Sequence, residues 1–165
     1  MLPEGDYIYE DLSSDFADTD QLLEELKEKK VTGYLKFENE NEKGFTILER
    51  GVPGKMKIVR NSHEEIRNGD SLSEVLEEGS YTVEVVDCNE SGREIVQIKL
   101  ENEEIKSDIS TGEVDISQFL STNITDQEND CHIIMISGGD TGVITMSDGL
   151  PRQAKFSTSG EIMVG

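Results

Sequence analysis

The chain holds no tryptophan, two histidines, two cysteines, three prolines and few cations, 15 Lys and Arg against 36 Asp and Glu. Each shortage closes a route. A zinc site needs about four convergent ligands, and His63, His132, Cys88 and Cys131 are too scattered to show any metal-site spacing. Neither cysteine belongs to a C-x-x-C pair, so both are expected as reduced structural thiols of a cytoplasmic protein. No apolar run approaches the roughly 20 residues of a membrane span. The opening MLPEGDYIYEDL has neither the basic nor the apolar region of a signal peptide. The balance of −21 opposes binding to nucleic acid or anionic lipid, because phosphate neutralisation needs clustered Lys and Arg. It is also compatible with a salty cytoplasm, where ions screen self-repulsion.

With aromatics at 5% and apolar residues at 34%, against a usual 45–50% or so when Gly is counted, the core must rest on Leu, Ile, Val and Met. Length allows one domain or two small ones. Apolar periodicity persists along most of the chain, which separates it from acid-rich disordered sequences.

The dominant internal feature is a stretch written twice. Residues 33–58, GYLKFENENEKGFTILERGVPGKMKI, return without a gap as residues 131–156, CHIIMISGGDTGVITMSDGLPRQAKF. Gly44, Gly51, Pro53 and Lys57 fall on Gly142, Gly149, Pro151 and Lys155, and Leu35, Phe37, Phe45, Leu48 and Ile58 fall on apolar residues. The identities are mostly turn-forming residues, whose φ preferences fix hairpins.

Read in order, residues 6–12 form a strand with Ile8 on one side and Tyr7 and Tyr9 on the other. Asp18 caps a helix with Gln21 at the box position and Leu22, Leu23 and Leu26 as its stripe. Residues 34–37, 45–48 and 55–59 make a three-stranded meander with a tight turn at residues 50–54. Residues 63–69 read as loop. Ser71 and Glu74 begin a second helix that Gly79 stops, with Leu72, Val75 and Leu76 facing the sheet. Residues 81–87 and 93–100 read as two strands of a hairpin around 88–92. The pattern then restarts: a strand at 103–109, a helix capped by Asp115 with Gln118, and strands at 132–136, 142–146 and 152–156. The second copy stops where the first continues, so the chain is expected to extend beyond Gly165.

Helix, then G-x-L-x-F, then G-x-x-x-x-x-x-G and a short strand resembles the PatA N-terminal-like domain family, small α+β modules of bacterial and archaeal signalling proteins. The second copy carries the closer match, from Gly142 through Gly149 and Pro151 to Ala154, a small residue where the family usually has one. The first copy departs there, with Met56, and has Arg50 where an acidic residue is commoner. Leu2-Pro3-Glu4-Gly5 with Gly33-Tyr34-Leu35-Lys36-Phe37 resembles a set of uncharacterised archaeal proteins containing such modules. The resemblance covers roughly residues 16–80 and 114–165. It implies a non-catalytic adaptor or regulatory role and carries over no active-site residue.

Candidate chemistry is sparse. Glu38, Glu40, Glu42 and Glu49 approach a calcium-loop spacing, but Lys43 replaces the central Gly and strands replace the flanking helices. Gly138-Gly139-Asp140-Thr141-Gly142 has no G-K-[ST] and lies between strands, so it reads as a hairpin connection and not as a phosphate loop. No Ser or Cys has a neighbouring-base motif. Arg50 and Pro53 in one turn, and Pro151 and Arg152 in the other, are the candidate partner-binding residues, since Arg is enriched at interface hot spots.

The fold reading is therefore α+β, with two related modules at 1–101 and 102–165, each a helix packed on an antiparallel β-meander. The functional reading is a cytoplasmic protein–protein interaction or regulatory adaptor module that binds a protein partner or itself. It involves no enzyme activity, cofactor, metal, nucleic acid or membrane. Two other readings stand beside it: a module that senses a small molecule between helix and sheet, and an enzyme working through paired carboxylates.

Overall fold

The computed structural model describes residues 2–3, 5–15, 17–102, 115–125, 130–137, 140–158 and 161–164. The chain divides into two compact units, Glu4–Glu101 and Met1–Pro3 with Asn102–Gly165. Both helices and antiparallel sheets are present, so the class is α+β.

The first unit runs β1 (Asp6–Ser13), α1 (Thr19–Lys29), β2 (Gly33–Glu38), β3 (Glu42–Glu49), β4 (Val52–Arg60), β5 (His63–Arg67), α2 (Leu72–Glu78), β6 (Thr82–Asp87) and α3 (Glu90–Glu101). Its strands form one antiparallel sheet in the order β1-β6-β2-β3-β4-β5. Strand alternation gathers Leu35, Phe37, Leu48, Met56, Ile58, Val83 and Val85 on one face. Leu22 and Leu26 of α1 and Leu72, Val75 and Leu76 of α2 pack onto it. The opposite face is covered by α3, which lies against β2, β3 and β4 and buries Ile95, Val96 and Leu100. The sheet is thus roofed on both sides.

The α1 boundaries follow capping chemistry. Asp18 accepts a 3.0 Å bond from the Gln21 N–H, the N-cap interaction that the sequence anticipates. At the other end, the Lys30 N–H reaches the Lys27 carbonyl and the Val31 N–H reaches the Leu26 carbonyl, each at 3.1 Å. This is a Schellman end, with Lys30 left-handed at φ 53° where glycine is usual. Replacing Lys30 with Gly is expected to stabilise the unit by about 0.5–1 kcal/mol, read as a rise in the urea midpoint; a fall would show that the lysine side chain matters more than its backbone.

The structure corrects the sequence reading at four places. Residues 93–100 are not a strand but part of α3, because Asn89 caps a helix: its Oδ1 accepts from the Gly92 N–H at 2.8 Å and its carbonyl from the Arg93 N–H at 3.1 Å. Residues 63–67 are not loop but edge strand β5, held by pairing to β4 from Met56↔Arg67 to Arg60↔His63. A bulge between Tyr7 and Tyr9 turns both Ile8 and Tyr9 onto the core while Tyr7 stays exposed, since an extra residue shifts the alternation of faces. The second helix begins through a 3-10 turn at Gly69–Ser71, and the Ser71 hydroxyl donates to the Asn68 carbonyl instead of capping.

The second unit contains α4 (Ile116–Leu120), which continues into a π-turn at Ser121–Thr125, and strands β7 (Cys131–Ser137), β8 (Asp140–Ser147), β9 (Leu150–Thr158) and β10 (Glu161–Val164). Asp115 caps α4 through the Gln118 N–H at 3.0 Å, the counterpart of Asp18. The strands form an antiparallel sheet in the order β10-β9-β8-β7. The strand expected at 103–109 lies outside the described residues.

The two sheets pair residue for residue at a constant spacing. Gly33↔Leu48, Phe37↔Gly44, Thr46↔Met56 and Gly44↔Ile58 in one correspond to Cys131↔Met146, Met135↔Gly142, Ile144↔Ala154 and Gly142↔Phe156 in the other. Even the irregularity recurs, with Leu48 opposite Pro53 and Met146 opposite Pro151. Both hairpins close on two residues of positive φ, Arg50 and Gly51 at 52° and 80°, Asp148 and Gly149 at 52° and 70°. Such paired left-handed residues match the strand twist in a type I′ turn.

Candidate functional site

The candidate partner-binding residues fall at the hairpin ends. Arg50 is exposed at the first turn position, and Pro53 is half-buried just inside β4. Pro151 and Arg152 are exposed on β9, and Arg152 lies 3.4 Å from the Asp148 carboxylate. The structure gathers the first pair at one end of one sheet and the second pair at the matching end of the other. The arginines themselves are not equivalent: by strand register Arg50 corresponds to Asp148, and Arg152 to Gly54. The residues that do correspond there are apolar. Val52 and Leu150 each follow the turn, and are 53% and 52% exposed. The sequence reading places Val52 in the turn and Leu150 just before a strand, so neither stands out until the structure shows both opening a strand with the side chain exposed.

A cleft of about 300 Å³ opens between the C-terminal end of α2 and β3–β5, lined in part by Asn39, Glu42, Arg60, Arg67, Glu78 and Tyr81. The Asn39 side chain fixes the strand entry by accepting the Asn41 and Glu42 N–H groups at 2.9 and 3.0 Å. Register then puts Glu42 opposite Arg60, and the buried Glu42 carboxylate takes the Arg60 guanidinium. Hydrogen bonding to Glu42 holds Arg60 above its ordinary value. Arg67 grips Glu65 with two nitrogens, at 2.7 and 3.1 Å, which holds the Glu65 carboxyl below its usual range. Such fork-like pairs orient planar groups. The cleft thus offers alternating charges suited to holding a small polar molecule, and no histidine lines it. A shallower depression is bordered by Asp15, Asp18, Asp20 and Glu77.

On the opposite sheet face Lys57 is 4% exposed. Its ammonium donates to the Lys99 carbonyl at 3.1 Å and lies 2.6 Å from Glu64. A cation at the end of α3 meets the negative pole of the helix, so Lys57 fastens α3 to the sheet and to the edge strand together.

Among the described residues no group of three or more His, Cys, Asp or Glu is placed to hold a metal ion. His63 and His132 are exposed, and the His132 Nδ1 lies 3.3 Å from the Thr145 hydroxyl. Cys88 is buried and Cys131 half-buried, both as free thiols. Burial pushes Cys88 up to about 11, so at pH 8 only about one thiol in a thousand is thiolate. Iodoacetamide is expected to modify Cys131 first and Cys88 only as the unit unfolds, scored by peptide mass spectrometry; equal labelling would contradict the burial of Cys88. A raised folded value favours the protonated thiol. Its contribution to stability is complete below the ordinary thiol value of about 8.5 and is lost as pH rises toward the folded value.

Among the described residues no helix is long and apolar enough to cross a membrane. Neither the curated proteins nor the solved structures include a match to the chain. Residues 1–100 match the family model described as "Uncharacterized protein conserved in archaea (DUF2226)". That span takes in every strand of the six-stranded sheet and more than half of the chain, which therefore belongs to this family of archaeal proteins.

Proposed function

We propose that this protein is a cytoplasmic, non-enzymatic interaction module, a regulatory adaptor assembled from two related α+β units of the PatA N-terminal-like kind. One observation carries the reading. Two sheets of equal register each hold an aliphatic side chain, Val52 and Leu150, out to solvent at the same position beyond the same turn. Apolar residues held outward by a rigid hairpin are suited to protein contact, and Arg50 and Arg152 stand beside them as polar neighbours. The adjoining edge strands also allow self-association by strand pairing.

The experiment is photo-crosslinking in archaeal cells with a photoreactive residue at position 52 or 150. Capture of one recurrent protein at either position supports the adaptor reading, and capture of a second copy supports its self-association form. Crosslinks no more frequent than at a polar control such as Glu49 would overturn it. The charge-lined cleft beside α2 favours a second reading, recognition of a small polar ligand between helix and sheet. A thermal-shift screen with nucleotides, amino acids and metal ions separates the two. Saturable stabilisation by one compound counts for the ligand reading, and removal of that stabilisation by Arg67→Ala would place it in the cleft.

A further inference from the structure

The cleft beside α2 holds a hydroxyl that the fold does not use. Tyr81 is 4% exposed. Its backbone is fully engaged, the N–H donating to the Ser14 hydroxyl and the carbonyl accepting from the Ser14 N–H, both at 2.9 Å. Its phenol oxygen makes no hydrogen bond among the described residues, and Tyr81 lines the cleft. A tyrosine buried to this degree ordinarily finds a partner for its hydroxyl.

The space beside that hydroxyl is kept open by Gly79, which also lines the cleft. Gly79 has φ −135° and ψ 152°, extended backbone that any residue adopts, so conformation does not call for glycine there. Room does. A Cβ would lie 2.5, 2.7 and 2.8 Å from the Cε2, Cζ and hydroxyl oxygen of Tyr81.

The charged lining divides into a fixed pair and an exchangeable one. Arg60 binds Glu42 through Nε and Nη2, and Glu42 is buried, so these two neutralise each other in place. Arg67 instead holds Glu65, whose side chain is 55% exposed, and a solvent-exposed pair of this kind is readily exchanged. Hydrogen bonding to Glu65 chiefly holds Arg67 above its ordinary value, and the charge of nearby Glu78 adds to it. The cleft therefore presents one exchangeable guanidinium, one carboxylate and one unused hydroxyl beside the apolar Ile58 and Val75.

We propose that this cleft binds a free α-amino acid with an aliphatic side chain. The ligand carboxylate takes the place of Glu65 on Arg67 and accepts from the Tyr81 hydroxyl. Its ammonium pairs with Glu78, and its side chain lies toward Ile58 and Val75. A carboxylate matches the planar fork of a guanidinium. A zwitterion answers both unmatched charges, whereas a lone acid or amine leaves one of them unanswered. A volume of about 300 Å³ admits a ligand of this size. The inference rests on the reading of the cleft as a ligand site and names the ligand.

Calorimetric titration of the full chain uses L-valine, L-leucine, isocaproate, which is leucine without its ammonium, and isoamylamine, which is leucine without its carboxylate. Saturable binding of the amino acids is expected, with leucine at least about tenfold tighter than either analogue. Tyr81→Phe removes only the unused hydroxyl. It should weaken leucine about tenfold while the ligand-free melting temperature stays level or rises, because no hydrogen bond of the fold is lost. Glu78→Gln should erase the preference for leucine over isocaproate.

Equal affinity for leucine and isocaproate would overturn the proposal, as would no binding of either amino acid at millimolar concentration. So would a Tyr81→Phe variant that melts lower and keeps full affinity. If a nucleotide stabilises the chain through Arg67 instead, the ligand reading stands and this assignment falls. Silence across the whole thermal-shift screen ends both.

Discussion

Phe37→Ala is expected to lower stability by about 3–5 kcal/mol, against a total that for a domain is only about 5–15 kcal/mol. The ring is fully buried, meets Tyr81 edge-on with centroids 5.2 Å apart, and roofs Gly44. Its loss opens a cavity that neighbours cannot refill, since both faces of the sheet are held by helices. Urea unfolding followed by circular dichroism measures the effect, with the midpoint falling and the slope unchanged. The matched change Met135→Ala removes a side chain that is 38% exposed and is expected to cost about 1 kcal/mol or less. Equal losses at the two positions would refute the contrast between a buried and a part-exposed side chain.

Gly51→Val is expected to cost about 2–6 kcal/mol through two terms that reinforce each other. Valine at φ 80° is strained by about 1–3 kcal/mol. Its Cβ would also fall 2.1 Å from the Leu26 carbonyl oxygen and 2.4 Å from the Lys27 Cα, and forcing backbone apart in a packed region costs about 1–3 kcal/mol more. The clash falls on the Schellman end of α1, and the Gly51 N–H donates to the Val31 carbonyl at 2.6 Å. Faster amide exchange at Lys30 and Val31 should accompany the drop in melting temperature. Arg50→Gly, one residue earlier and also at positive φ, should be neutral or slightly stabilising. If Gly51→Val melts with the native protein, the turn does not dock on the helix.

Hairpins and capped helices were legible in the sequence where a residue type dictates its own backbone. The turn glycines Gly51 and Gly149 and the Asp18 and Asp115 caps are local events that lie where their residues demand, although the first turn takes only Arg50 and Gly51, and Val52 to Gly54 of the expected turn belong to β4. Misreadings arose where two local signals compete. The run from Arg93 to Leu100 alternates β-branched and polar residues like a strand. Yet Gly92, Ile95, Val96 and Leu100 are its buried positions, a helical stripe, and Asn89 caps it. Strand β5 was invisible for a different reason. Its glutamates have low strand propensity, and only pairing to β4 makes it extended.

The cleft was beyond sequence reasoning because it joins Asn39, Arg67 and Tyr81 from separate elements. Glu42, one carboxylate of the calcium-like spacing, is instead buried against Arg60 by pairing across the sheet.

The matching registers of the two sheets also bear on how the polypeptide reaches its native state. A hairpin made of β3 and β4 has the same length, turn and irregularity as one made of β8 and β9. Matching registers would let each pair with the wrong set of neighbours during refolding, within a molecule or between two, a failure mode of chains with more than one compact unit. The side chains that distinguish the hairpins, Phe45, Thr46 and Met56 against Val143, Ile144 and Ala154, then act as insulation between the two, and making them alike would trade refolding yield for symmetry.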